Sequence, residues 1–512
     1  MESKCRIELK NITKRFGKVV ANNGINLTIE GGQVLCLLGE NGSGKTTLMN
    51  MLSGIYMPDE GHILKNGEEI RIRSPHDAFS NGIGMIHQHF KLVDVLTVAE
   101  NVVLGLNEKG RLDKKQICQR VAEICQRYGF DLDPTKKVYD LSVSQKQTVE
   151  IVKVLYRGAE ILILDEPTAV LTPQETDRLF QVLRNMRKDG KAIVLITHKL
   201  HEVLSISDKV AVLRKGTYVG TVDTQGATAQ SLTDMMVGRS VSLNIDRPIC
   251  DNLAKRLEVS HLTVLDREGV KKLDDVSFEA MGGEILGIAG IAGSGQKELL
   301  EAIAGLQHTE AGSSVQYMDD SNGAVELLGM DPKKIINHGV LLSFVPEDRF
   351  GMGLVGSMSI VDNIKLRSYR QKRGPFPDRA YPQKLAEDIV NALEVVTPDT
   401  NRTPLRRLSG GNVQKVLVGR EISFTPSVLM SAYAVRGLDI NTSYTIYNLL
   451  TEQKMKGVAV IYVGEDLDVL LELCDRILVL CGGQVSGIVD ARKTTKEEIG
   501  LLMTQTGKEA AE

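Results

Sequence analysis

Two tandem α/β domains, each a largely parallel sheet flanked by helices, are predicted by three observations. Short apolar runs such as Ile161 to Leu164 and Ala192 to Ile196 end abruptly in polar residues, which is the length and pattern of strands buried on both faces. Glycines recur in register: Gly32, Gly39, Gly44 and Gly54 match Gly283, Gly290, Gly295 and Gly305 at a constant spacing of 251 (290 minus 39). Further on, Leu141-Ser142, Asp208, Gly216 and Gly220 match Leu408-Ser409, Asp475, Gly483 and Gly487 at a spacing of 267 (408 minus 141), so the second copy carries an insertion between these two sets. A chain of 512 residues also exceeds what one hydrophobic core supports.

Each half opens on alternating residues, Arg6-Ile-Glu-Leu-Lys and Arg256-Leu-Glu-Val-Ser, which suit edge strands. The apolar strand Val34 to Leu38 then runs into Gly39-Glu-Asn-Gly-Ser-Gly-Lys-Thr46 and a helix from Lys45 to Leu52. Strand, glycine loop and helix in that order are the context a phosphate-binding loop requires. Backbone N–H groups of Gly39, Asn41, Gly42, Ser43 and Gly44 can close around phosphates, with Thr47 just inside the helix. Lys45 reaches the β and γ oxygens of a nucleotide, and the Thr46 hydroxyl suits Mg²⁺. Phe16, ahead of the loop, offers a flat face to adenine.

After the loop, Gln88 in Met85-Ile-His-Gln-His is placed to touch Mg²⁺ and relay its state. Ile161-Leu-Ile-Leu-Asp165-Glu166 is a strand ending in two carboxylates, the first fit to hold Mg²⁺ and the second to polarise an attacking water. A helical stretch from Gln174 to Met186 leads to the strand Lys191 to Thr197, which ends at His198, a donor for the γ-phosphate as charge develops there. The polar stretch Gly238 to Asn252, with Pro248, marks the junction, giving a first domain 1–245, a linker 246–255 and a second domain 256–512.

The second copy is stripped of these reactive groups. Its loop reads Gly290-Ile-Ala-Gly-Ser-Gly-Gln296-Lys297, with Gln for the cation and Lys for the hydroxyl. By register, Glu347 replaces Gln88, Ala432 and Tyr433 replace Asp165 and Glu166, and Glu465 replaces His198. A tyrosine with pKa about 10 is protonated at neutral pH and does not replace a carboxylate base. The glycines still permit nucleotide to be held, with Lys297 supplying charge in place of a metal.

Bulk composition excludes other classes. A net charge of −3 carries no nucleic-acid footprint. Seven cysteines, at 5, 36, 118, 125, 250, 474 and 481, form no C-x-x-C pair, so neither a disulfide framework nor a zinc site is suggested and a reducing compartment is expected. The charged start is unlike a signal peptide, and no stretch approaches the roughly 20 apolar residues of a membrane span.

Leu408-Ser409-Gly410-Gly411-Asn412, over 100 residues after its phosphate loop and ahead of a strand, completes a resemblance to the ATP-binding cassette family over nearly the whole chain. The resemblance implies, in each half, a RecA-like α/β core, an antiparallel β subdomain and a helical subdomain. It further implies that ATP is sandwiched between one domain's phosphate loop and the other's signature, so the two halves would form an internal pseudo-dimer. The first signature, Leu141-Ser-Val143-Ser144-Gln, lacks both glycines that let backbone approach phosphate. The defects thus fall on one composite site: Lys45, Thr46, Asp165, Glu166 and His198 would work with Ser409, Gly410 and Gly411, and the other site would hydrolyse nothing.

Within the family, the tandem chain resembles ATPase subunits of bacterial importers for simple sugars and nucleosides, and Met85-Ile-His-Gln-His-Phe90 resembles the nucleoside group. A monosaccharide importer of the ribose or galactose type is the alternative. The resemblance implies integral membrane permease subunits as partners, docked through the segments between Gln88 and Leu141 and between Glu347 and Leu408, an extracytoplasmic binding protein as indirect partner, and a place on the cytoplasmic face of the membrane. Tandem cassettes that serve as ribosome-associated translation factors resemble a pattern of two intact sites and a long charged linker, from which this chain departs. A regulatory scaffold without turnover is opposed by the intact Glu166.

Overall fold

The computed structural model describes residues 5–87, 90–106, 113–169, 171–197, 199–238, 243–291, 293–319, 323–344, 353–368, 378, 380–423, 426–436, 438–464 and 466–505. The chain divides into two compact units, Met1–Ser242 and Leu243–Glu512.

In the first unit a six-stranded sheet runs in the order Thr217–Asp223, Lys209–Arg214, Val34–Leu38, Ala192–Ile196, Ile161–Asp165 and Ile83–Ile86. All pairings are parallel except that of the outermost strand Thr217–Asp223 with Lys209–Arg214. The three central strands are wholly or almost wholly buried, which is why they read as near-continuous apolar runs. Strand-exit polar residues therefore gather at one end of the sheet, where open α/β sheets bind ligands.

A second, antiparallel sheet has the order Val19–Glu30, Arg6–Phe16, Glu60–Lys65 and Glu68–Ile70. The expectation of an edge strand at Arg6 is overturned: Arg6–Phe16 pairs on both sides, with Val19–Glu30 and with Glu60–Lys65. The corresponding strand Ala254–Leu265 is likewise interior, between Lys271–Gly282 and Ser314–Asp319. Alternation reports one buried face and one solvated face, and says nothing of lateral position. The buried residues Ile7, Leu9, Leu27 and Ile29 join one core with Leu48, Met49, Met51 and Leu52 of the helix Lys45–Leu52, so the antiparallel sheet braces the helix that follows the phosphate loop. A separate core belongs to the helices Val98–Val103, Lys114–Tyr128 and Val143–Tyr156.

The second unit repeats this plan strand for strand. Its six-stranded sheet has the order Val340–Phe344, Val428–Ala432, Ala459–Val463, Ile285–Gly290, Arg476–Cys481 and Gln484–Asp490. Between Leu243 and Leu253 the chain forms no helix or strand, yet it is tied down within this unit: Ile245 is in its core, Arg247 donates to the carbonyls of Leu471 and Cys474, and buried Lys454 donates to the carbonyl of Pro248 at 2.6 Å and to Asp475 at 2.8 Å. Among the described residues no helix is long and apolar enough to cross a membrane.

Candidate functional site

The end of the first unit's parallel sheet opens into a cleft of about 450 Å³. Asn41 to Thr47 line it on one side and Asp165 and Glu166 on another, so the loop and the strand-end carboxylates expected to act together do meet. Gly44 adopts φ 96°, ψ 5° immediately before the helix Lys45–Leu52. A side chain there is doubly opposed, by the left-handed backbone and by the Ala21 carbonyl and Asn22 amide against which a Cβ would press. The helix begins without a side-chain cap, leaving its first N–H groups directed at the cleft.

Lys45 is 8% exposed and its ammonium donates to the loop's own carbonyls, Gly39 at 2.6 Å and Glu40 at 3.0 Å. Burial pulls its pKa below the usual lysine range, opposed by the nearby charges of Glu166, Asp165 and Glu40. Burial, reinforced by Glu166, pushes the Asp165 carboxyl above its usual range, while Thr46 and Lys45 pull the other way. Two carboxylates and one ammonium in a recessed site are poised for further positive charge.

The donor set fits a magnesium ion. Thr46 Oγ1 and Asp165 Oδ2 lie 3.4 Å apart, too far for a strong hydrogen bond and suited to sharing a hard cation that keeps most of its own waters. The buried Ser43 hydroxyl, which also lines the cleft, has no hydrogen-bond partner among the described residues, as expected of a group reserved for a ligand.

Glu166 follows its strand with φ 47°, and its N–H donates to the Ile196 carbonyl at 2.9 Å. A non-glycine residue in the left-handed region costs about 1–2 kcal/mol, so the turn that presents this carboxylate is held against local preference. Tyr433 of the second unit repeats it, with φ 55° and its N–H on the Val463 carbonyl at 3.1 Å. The second unit also keeps the left-handed glycine ahead of the loop's helix: Gly295 has φ 98°, ψ 6°. What differs is side-chain chemistry. The Gln296 amide donates to Ile291 O at 3.1 Å, and Lys297 lies 3.7 Å from Glu301 on its own helix.

Phe16 ends its strand and packs edge-on against Tyr56 with ring centroids 5.2 Å apart, Lys14 lying over its ring; it is not among the residues lining the cleft. Gln88 and His198 lie outside the described residues, as do Glu347 and Glu465. Ser409, Gly410 and Gly411 belong to the second unit, where Ser409 Oγ accepts from Asn412 Nδ2 at 2.9 Å at the start of the helix Gly410–Ser423. Sequence reasoning missed the cleft residues Val19, Val20, Ala21, Lys215 and Gly216. Lys215, at φ 47°, turns between two antiparallel strands, and only the match of Gly216 with Gly483 flagged that turn.

The family model described as ABC transporter matches residues 22–169 and again 273–431, once in each unit and over the cleft-forming elements just described. The chain belongs to the ABC transporter family. As a member it binds ATP, and it hydrolyses ATP in a reaction coupled to transport. Three similar curated proteins match nearly end to end. The guanosine import ATP-binding protein NupO of Bacillus subtilis is 43% identical over 512 residues, covering 98% of each chain. The nucleoside import ATP-binding protein NupA of Lactococcus lactis is 41% identical, covering 98% of this chain and 99% of that one. The ribose import ATP-binding protein RbsA of Rhodopirellula baltica is 39% identical, covering 96% of each.

Proposed function

We propose that this ABC ATPase energises import of nucleosides, and that the first unit's cleft is where ATP is turned over. The carrying observation is full-length likeness to ATPases named for guanosine and nucleoside import, joined to a cleft that gathers Lys45, Thr46, Asp165 and Glu166.

The roles follow from chemistry. The loop N–H groups and Lys45 hold the β and γ phosphates, Lys45 exchanging carbonyl partners for phosphate oxygens without further dehydration. Thr46 and Asp165 would hold Mg²⁺, which neutralises charge on the phosphates when bound. Glu166 orients and polarises the attacking water; His198 and Gln88 are assigned the γ-phosphate contact and the metal relay on their sequence placement. Ser409, Gly410 and Gly411 are proposed to complete this catalytic site, whereas Gln296, Ala432 and Tyr433 leave the other without turnover. Closure on ATP and reopening after hydrolysis would drive membrane permease subunits from the cytoplasmic face, with an extracytoplasmic binding protein delivering substrate.

The test is to assemble the full chain with its permease and measure ATP hydrolysis with the binding protein loaded in turn with guanosine, another nucleoside, ribose or glucose. Stimulation by a nucleoside is expected; stimulation by ribose alone would overturn the substrate class, and is the outcome the likeness to the ribose import protein favours.

A further inference from the structure

Behind the cleft lies a buried polar cluster to which the roles above assign nothing. Thr168 comes two residues after Glu166, and Thr197 one residue before His198. Both hydroxyls converge on one carboxylate oxygen: Thr168 Oγ1 lies 2.6 Å and Thr197 Oγ1 3.4 Å from Glu202 Oε2. Lys199 Nζ, 3.2 Å from the other oxygen, also donates to the Thr168 carbonyl at 3.2 Å. Thr197 Oγ1 in turn accepts the Lys199 N–H at 3.1 Å. Thr168, Thr197 and Glu202 are at most 8% exposed. A hydroxyl donating to a buried carboxylate at 2.6 Å is a charge-assisted bond, stronger than a neutral one. Glu202 therefore ties the chain leaving strand Ile161–Asp165 to the chain leaving strand Ala192–Ile196.

The second unit supplies an internal control. Strands Val428–Ala432 and Ala459–Val463 and helix Leu467–Leu473 match Ile161–Asp165, Ala192–Ile196 and Leu200–Ile206 at the same spacing of 267 (428 minus 161). At that spacing Thr168, Thr197 and Glu202 become Val435, Gly464 and Val469. Both donor hydroxyls and the receiving carboxylate are gone, and the two valines pack against the unit's hydrophobic core. The same architecture thus closes with apolar contacts. The cluster is present where Glu166 is present and absent where Tyr433 stands, which links it to the reaction rather than to folding.

We propose that Glu202 is a positioning residue for ATP hydrolysis: through Thr168 and Thr197 it holds the two strand exits that bear Glu166 and His198 in register. The proposal rests on the assignment of hydrolysis to Glu166. Small displacements of reacting groups cost about 100-fold in rate.

The second unit's own solution provides the variant. In the full-length chain, Thr168→Val with Glu202→Val exchanges the polar pair for the apolar one. The expected result is an unchanged melting temperature, KM for ATP within twofold, and kcat lowered about 10- to 100-fold. Glu202→Gln, which keeps an oxygen to accept from Thr168, should retain more kcat than Glu202→Val. A double variant with kcat within twofold of the unaltered chain overturns the proposal, and so does a kcat loss matched by an equal loss of ATP affinity. Glu166→Gln is measured alongside. If that variant is inactive while the double valine variant is fully active, the positioning role alone fails; if Glu166→Gln itself turns over normally, the site assignment fails and this role with it.

Discussion

Two glycines of the phosphate loop separate backbone strain from steric collision. Gly42 and Gly44 both have positive φ, 79° and 96°. Alanine at either position incurs about 1–2 kcal/mol for the left-handed backbone, partly offset by about 0.4–1 kcal/mol from a stiffer unfolded chain. A Cβ at Gly42 meets no atom of the described residues within 4 Å, whereas one at Gly44 presses on the Ala21 carbonyl and lies 2.6 Å from Asn22 Nδ2. Overpacking of this kind adds about 1–3 kcal/mol. The net costs are then about 1 kcal/mol for Gly42→Ala and about 3 kcal/mol for Gly44→Ala. For a domain of this size, 1 kcal/mol moves the melting temperature about 2–4 °C, so the two variants should differ by about 6 °C. Calorimetry reads this directly, the relevant transition being the one that ATP raises in the unaltered chain. Relief of the collision must shift the N–H groups at the start of Lys45–Leu52, so Gly44→Ala should also weaken ATP binding at least about tenfold. Melting temperatures within 2 °C of each other would refute the collision argument.

Glu166→Gln should lower kcat at least about 100-fold with ATP binding retained, because general-base assistance of this kind contributes about 10²–10⁴; rate and nucleotide titration check it together. Asp165→Asn should stabilise the nucleotide-free chain at pH 7, since a carboxyl whose folded pKa is raised gives stability that is complete below its unfolded value of 3.8 and lost as pH rises through the folded one. The gain should vanish below about pH 4 in melting curves, and a gain that grew on acidification would reverse the assigned shift. Lys297→Ala should change stability by less than about 0.5 kcal/mol and leave turnover unaltered, its partner Glu301 being 3.7 Å away and its own side chain 53% exposed. A loss of turnover there would give the second loop an active part.

Much of this was legible because the parallel strands are buried on both faces and write themselves as apolar runs. Val34–Leu38 has the expected ends, Ala192–Ile196 stops one residue short of the expected Lys191 to Thr197 at each end, and the helix after the loop covers Lys45–Leu52 as its spacing indicates. The helix expected from Gln174 to Met186 extends to Pro173–Lys188, with Thr172 and Glu175 forming a reciprocal cap. The lateral place of Arg6–Phe16 was not legible, because alternation fixes a face and not a neighbour. The cleft wall from Val19 to Ala21 was hidden for a related reason: it comes from a different sheet, brought to the loop by the contact of Ala21 and Asn22 with Gly44. Thr168 and Glu202 meet across 34 residues, and no local spacing announces such a pair. It shows in the sequence only when the two halves are aligned and the triad disappears from one of them.

That disappearance separates two layers of information in the chain. Positive φ recurs at matching positions of the phosphate loop and the strand-end turn in the two units, at Gly42 and Gly293, at Gly44 and Gly295, and at Glu166 and Tyr433. For Tyr433 this is costly, since a bulky residue in the left-handed region gains nothing local from being there. The turn is nevertheless kept, held by a hydrogen bond to the neighbouring strand that has nothing to do with side-chain identity. The strain is therefore a property of the sheet's geometry, and the chemistry is laid over it by side chains alone. If so, Tyr433→Gly should be close to neutral for the second unit: about 1–2 kcal/mol of relieved strain offsets the extra entropy of an unfolded glycine, about 0.5–1 kcal/mol, and most of the packing that the partly buried Tyr433 gives to its core, without creating or removing any turnover. An unchanged ATPase rate with a melting temperature within about 4 °C of the unaltered chain is the expected result; a lower rate would mean that the tyrosine has acquired a duty of its own.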